Sequence, residues 1–300
     1  MRGLLRRIDP VARAVDRARR KLRDAAGAER HTTTLADGRQ IVTLDTGGDL
    51  PVLVALHGIG ASKDHWARLA ALLRDRVRVV APDLPGFGES DGTGDLSMAG
   101  QAETVIAFLD AIGLGRVHLA GSSMGGRIAA ELAHRAPERL RSLWLLAPAG
   151  ADGDRPSEMI EGLFAGEGVP LFARTPDEYA ASVAFSMRRP PPIPRPALRV
   201  LAAESAAAYD RTVGVFCDMS LEMGLGLTTE ELVAGLPVPL LVTWGDEDRV
   251  LHPSGATTLA AGVADATVHR LAGIGHLPMM EAPRQTAAAF AAFLDAHPDA

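Results

Sequence analysis

The sequence predicts an α/β fold, with a mostly parallel central sheet, helices on both faces and a helical segment inserted late in the chain. Three observations carry this. Short, largely apolar runs at Val52–Leu56, Arg78–Ala81, Val117–Ala120, Leu143–Leu146 and Leu240–Thr243 read as strands buried on both faces. Helical patterns separate them, which implies parallel strands joined by right-handed crossovers. The third is size: 300 residues that are 47% hydrophobic suit one large α/β domain with ample core material.

Composition narrows the function. A net charge of −6 argues against a nucleic-acid partner. The single cysteine, Cys217, excludes an internal disulfide and a multi-cysteine metal site, and is expected to pack as a small hydrophobe. No metal-ligand cluster, dinucleotide-type glycine turn or phosphate loop is evident, so neither cofactor nor metal is expected. No run of eighteen apolar residues occurs, as a spanning helix would need.

Charge is unevenly placed. Residues 1–30 carry ten Arg and Lys against four Asp and Glu, a net of +6, which leaves the remainder at −12. Leu4, Ile8, Val11, Val15, Ala18 and Leu22 form one stripe of a 3.6-residue period, interrupted by Pro10, with most of the arginines off it. Two readings of this basic amphipathic arm stand side by side: a helix in peripheral contact with an anionic membrane, or one docked on the protein's own surface. The apolar core of a secretory signal is absent here, and the expected location is the cytoplasm, with or without membrane association.

His31–Leu35 and Gln40–Leu44 flank Asp37-Gly38, a tight hairpin signal. The Val52–Leu56 strand ends in His57-Gly58-Ile59-Gly60, a glycine-rich loop that can turn the Ile59 amide toward a reacting centre. His57 reads as a loop-packing histidine and His65 as surface or loop. Asp83, in the turn-rich loop after Arg78–Ala81, reads as a structural acceptor of loop amides. Ser97 is placed to cap a helix from Met98 to about Ile112.

The stretch Val117–Ile128 holds the chemistry. It is a strand, a tight turn and a helix start, and the turn Gly121-Ser122-Ser123-Met124-Gly125 fits Gly-x-Ser-x-Gly with Ser123 at its centre. Such an elbow exposes the Ser123 hydroxyl, and the free amide of Met124 at the helix start makes a second donor beside Ile59.

HGIGASKDHW, VAPDLPGFGESD, LAGSSMGGRIAAELA and LLAPAG, in this order, resemble the α/β-hydrolase superfamily, and most of all its monoacylglycerol-lipase-like branch of lipases and esterases. The resemblance covers about residues 31–296. It implies the α/β-hydrolase fold, with residues 31–150 and 237–300 as the core and 151–236 as a helical cap, or lid. In the cap, Met159–Phe164, Asp177–Met187 and Ala197–Val213 read as helices around a stiff proline run at 190–194. Phe164, Phe172, Phe185, Phe216, Met219 and Met223 either line an acyl pocket or form the cap's own core.

After the Leu240–Thr243 strand come Asp246, Glu247 and Asp248. The resemblance places the triad carboxylate at Asp248, with Asp246 as the alternative. His276, in the glycine loop after a last strand at Thr267–Leu271, completes the chain order Ser123, Asp248, His276. The implied activity is hydrolysis of a small-molecule acyl ester, a monoacylglycerol or other lipid-like ester, through an acyl-enzyme. Two alternatives stand: a hydrolase of C–C bonds in dienoate ring-cleavage products, and a non-catalytic binding protein on the same fold.

Overall fold

A computed structural model describes residues 9–151 and 153–300. Eight strands form one sheet: β1 (Glu29–Thr34), β2 (Gln40–Asp45), β3 (Val52–Leu56), β4 (Arg78–Pro82), β5 (Val117–Ser122), β6 (Leu140–Leu146), β7 (Leu240–Gly245) and β8 (Ala266–Leu271). Their spatial order is β1-β2-β4-β3-β5-β6-β7-β8. Only β2 runs against its neighbours; β4, β3, β5, β6, β7 and β8 are mutually parallel. All the carboxyl ends from β3 to β8 therefore lie along one edge, where ligands of such sheets bind.

The helices are α1 (Pro10–Ala25), α2 (Ala67–Leu73), α3 (Met98–Ala111), α4 (Met124–Arg135), α5 (Glu158–Phe164), α6 (Pro176–Ser186), α7 (Arg195–Leu225), α8 (Thr229–Val233), α9 (Gly255–Ala261), α10 (Pro278–Glu281) and α11 (Pro283–Ala296), and a 3-10 turn at Lys63–Trp66 precedes α2. Alternation along β3 divides the core. Val54 and Leu56 face α3, α4, α8 and α9, while Leu53 and Ala55 face α2, α10 and α11. On that second face Phe290 of α11 stacks on Trp144 of β6 at 4.4 Å between ring centroids, an aromatic contact that adds about 1 kcal/mol to its buried area. Ser97 caps α3 as expected, accepting from the Gly100 amide at 3.0 Å.

Helices α5 to α8 lie between β6 and β7. The largest departure from expectation is α7, which runs 31 residues rather than the anticipated 17, continuing through Gly214 and Gly224 to stop at Gly226. Packing of Val215 and Met219 against the core outweighs the roughly 1 kcal/mol that each helical glycine costs. Cys217 lies on the solvent side of this helix and is exposed, not packed.

The arm is helical from Pro10, with Asp9 as its cap. It packs on α7 and α2. Arg19 bonds to Glu204 of α7 at 2.6 Å, and Arg23 holds Asp64 through 2.6 and 2.7 Å bonds. Its partly buried Val11, Val15 and Leu22 and buried Ala12 leave Arg13, Arg17, Arg20 and Lys21 exposed. Leu4 and Ile8 of the predicted stripe fall outside the described residues. Among those described, no helix is long and apolar enough to cross a membrane.

Candidate active site

Ser123 terminates β5 in a turn that only its neighbours make tolerable. Its φ of 55° and ψ of −120° cost an L-residue on the order of 1–3 kcal/mol. Glycines leave the space: a Cβ on Gly121 would lie 2.1 Å from the Gly125 carbonyl oxygen, and one on Gly125 2.4 Å from that of Leu56. The turn is pinned by the Ser123 N–H donating to Leu146 O (3.1 Å) and by the Ala149 N–H donating to Ser123 O (2.9 Å).

The His57–Gly60 loop presses on this elbow. A Cβ on Gly58 would sit 3.2 Å from the Ser123 Cβ. Among the described residues neither the Ile59 N–H nor the Met124 N–H has a hydrogen-bond acceptor. Met124 is the first residue of α4, so its amide belongs to the positive helix end. His57 is fully buried; its Nδ1–H donates to Gly58 O (2.8 Å) and its Nε2 accepts the Leu84 amide (2.9 Å). Burial pushes its pKa down, and with both nitrogens engaged it is no base. Below the loop, Asp83 takes the Lys63 amide (2.8 Å), the Lys63 ammonium (2.6 Å) and the Glu89 amide (2.8 Å), which makes it structural. His65 is partly buried in the 3-10 turn; its Nδ1 is buried without a partner among the described residues, and burial pushes its pKa down to about 4.

Asp248 and His276 come together. The imidazole Nδ1–H donates to Asp248 Oδ2 at 2.8 Å, with both side chains buried. Three further donors hold the carboxylate: the Trp244 indole at 3.0 Å and the amides of Val250 (2.8 Å) and Leu251 (3.0 Å). With Nδ1 carrying the proton, Nε2 is left with its lone pair, and it is buried with no partner among the described residues. Ser123 is therefore not bonded to the imidazole in this arrangement, as is common for such pairs without substrate. Asp246 lies outside the cluster, exposed and bonded to Arg270 at 2.5 Å.

Sequence reasoning did not pick out Lys63, Trp244 or the insert segment Ser186–Arg189. Ser186 O accepts the His276 N–H at 2.8 Å, and the Arg189 N–H donates to Glu281 at 2.8 Å. Trp244 carried a signal, standing four residues before the acid at a strand end; the others depend on contacts distant in sequence.

Fold and geometry now define a class. Residues 51–283 match the family model of the alpha/beta hydrolase fold, and the chain belongs to the α/β-hydrolase family. It is 30% identical to Lipase 1 of Psychrobacter immobilis over 90% of this chain and 86% of that one. It is 29% identical to monoacylglycerol lipase ABHD6 of Homo sapiens, over 82% and 76%. A solved structure described as a membrane phospholipase A and bacterial virulence factor is similar at a TM-score of 0.92 and 36% identity, covering 99% of this chain and 95% of that one. The chain is an ester hydrolase of this family.

Proposed function

We propose that the chain hydrolyses acyl esters of lipid-like substrates through an acyl-enzyme on Ser123. The observation that carries this is the buried Asp248–His276 bond, which leaves a lone-pair nitrogen unpartnered at the sheet edge that also bears the Ser123 elbow. In this reading His276 Nε2 takes the hydroxyl proton as Ser123 Oγ attacks the ester carbonyl. Asp248 holds the tautomer and stabilises the imidazolium. The Ile59 and Met124 amides receive the developing oxyanion, each such donor contributing on the order of 3 kcal/mol. The imidazolium protonates the leaving alcohol, then the imidazole activates water to free the acid.

The lipase and monoacylglycerol lipase names of the relatives support a monoacylglycerol or other lipid ester as substrate. Residues 151–236 act as a cap. Ser123 is only 7% exposed, so an acyl chain enters when helices of this insert shift. The arm makes peripheral membrane contact through its outward cations Arg13, Arg17, Arg20 and Lys21, since Val11, Ala12, Val15 and Leu22 turn toward the protein.

Ser123→Ala is expected to reduce hydrolysis of nitrophenyl esters to background and to abolish fluorophosphonate labelling while the fold persists. Retention of most activity would overturn the assignment. Reversing Arg13, Arg17 and Arg20 to Glu is expected to weaken co-sedimentation with anionic vesicles, and unchanged binding would remove the membrane reading.

A further inference from the structure

The loop that carries His276 is bonded on two sides, and one carboxylate makes both connections. Glu281, at the end of α10, is partly buried five residues beyond the histidine. Its Oε1 accepts the Gly275 N–H at 2.9 Å, the amide next to His276. Its Oε2 accepts the Arg189 N–H at 2.8 Å, from the insert where it leaves α6. The gap is closed by direct contact, because the His276 N–H donates to Ser186 O at 2.8 Å and a Cβ on Gly275 would lie 2.9 Å from the Arg188 nitrogen, Ser186 O and Glu281 Oε1 alike. The same segment reaches the acid loop through the Arg188–Glu247 ion pair, and the Glu247 N–H donates to Ile274 O.

We infer that Glu281 is a positioning residue: its carboxylate clasps the His276 loop to the Ser186–Arg189 segment of the insert and so holds the imidazole in register for proton transfer. The inference rests on the acyl-enzyme reading for its kinetic consequence, though the clasp exists without it. It also separates two parts of the insert. The corner after α6 is fixed to the core, so motion that admits a substrate takes place in other parts of the insert.

Charge supports the geometry. Burial pushes the Glu281 pKa up, the amides of Arg189, Gly275 and Arg188 draw it down, and the nearby Asp248 carboxylate adds to the upward push. The groups around it are His276 and Asp248 from the site loops, Glu247 bonded to Arg188, and Arg189. Behind α10, on the 3-10 turn and α2, stand Lys63, bonded to Asp83 and Glu89, Asp64, bonded to Arg23, then His65 and Arg68. Arg284 follows on α11.

The test compares wild type with Glu281→Gln, Glu281→Asp and Ser123→Ala in the full chain, using steady-state hydrolysis of nitrophenyl butyrate and amide hydrogen exchange. Glu281→Gln keeps the shape but turns an N–H toward one of the two amides. Its kcat is expected to fall between about tenfold and a hundredfold with little change in KM, as for a small misplacement of a reacting group. Exchange in peptides spanning 186–189 and 274–277 is expected to rise together. Glu281→Asp keeps a carboxylate without the reach to both amides, and so is expected not to recover kcat. Wild-type kcat in Glu281→Gln, or faster exchange on one side alone, would overturn the inference. Retained activity in Ser123→Ala would sink the ester reading instead, and the exchange result still decides the clasp because it needs no turnover.

Discussion

The carboxyl edge of the sheet and the helical insert are built to different standards of restraint. At the edge, Asp248 receives four donors, His57 uses both ring nitrogens, and Asp83 receives three bonds. The insert is lighter. Phe164 is 86% exposed on α5, and few of the residues of α6 and α7 are buried. Its ties to the core gather at points such as the Ser157 hydroxyl donating to Val250 O at 2.7 Å and the Thr229 hydroxyl donating to Ala149 O at 2.7 Å. The difference has a chemical logic. Proton transfer fails with small displacements, whereas an apolar chain needs only a surface that yields.

Substitutions at the edge should therefore be far more costly than those in the insert. Asp248→Asn keeps the shape but disturbs the imidazole tautomer, and is expected to lower kcat about 10⁴-fold with little loss of stability; steady-state kinetics beside a thermal melt checks this. Lys63→Met leaves the Asp83 carboxylate fully buried without its cation, an expected loss of about 3–5 kcal/mol in urea unfolding.

Acid should undo the core before the insert. Burial pushes both His65 and His118 down to about 4 from an ordinary 6.5. The unfolded chain then binds protons that the folded one refuses. Stability is full above about pH 6.5 and is lost as pH falls toward 4, by about 3 kcal/mol for each histidine. His118→Gln is expected to flatten unfolding midpoints over that window. The smallest effect falls on the insert. Phe164→Ser is expected to change stability by less than about 0.5 kcal/mol, while lowering activity on micellar long-chain esters relative to soluble short ones.

What was legible in the sequence follows the reach of each interaction. The strands from Val52 to Thr243 and the Ser123 elbow are written in local pattern, because burial on both faces demands unbroken apolar runs and the turn demands its glycines. Asp248 over Asp246 needed the family resemblance; three acids within three residues look alike until one meets an indole and an imidazole and another meets Arg270. The length of α7 was hidden because Gly214 reads as a stop, and its packing partners lie far away in sequence. Lys63 was silent for the same reason, with its partner 20 residues on. Of the amino-terminal stripe, Val11, Val15 and Leu22 are partly buried and Ala18 is exposed, and periodicity cannot say whether an apolar face meets lipid or protein.

One consequence of α7 remains. Thirty-one residues of unbroken helix make a beam about 46 Å long. About a third of the way along it grips Arg19 of α1 through Glu204; near its carboxyl end, Glu222 accepts the Met98 amide and Met223 lies over Gly150, just past the strand that pins Ser123. A stiff beam tilts before it bends, so a displacement of the amino-terminal helix is expected to be felt as leverage at the Met98 and Gly150 contacts.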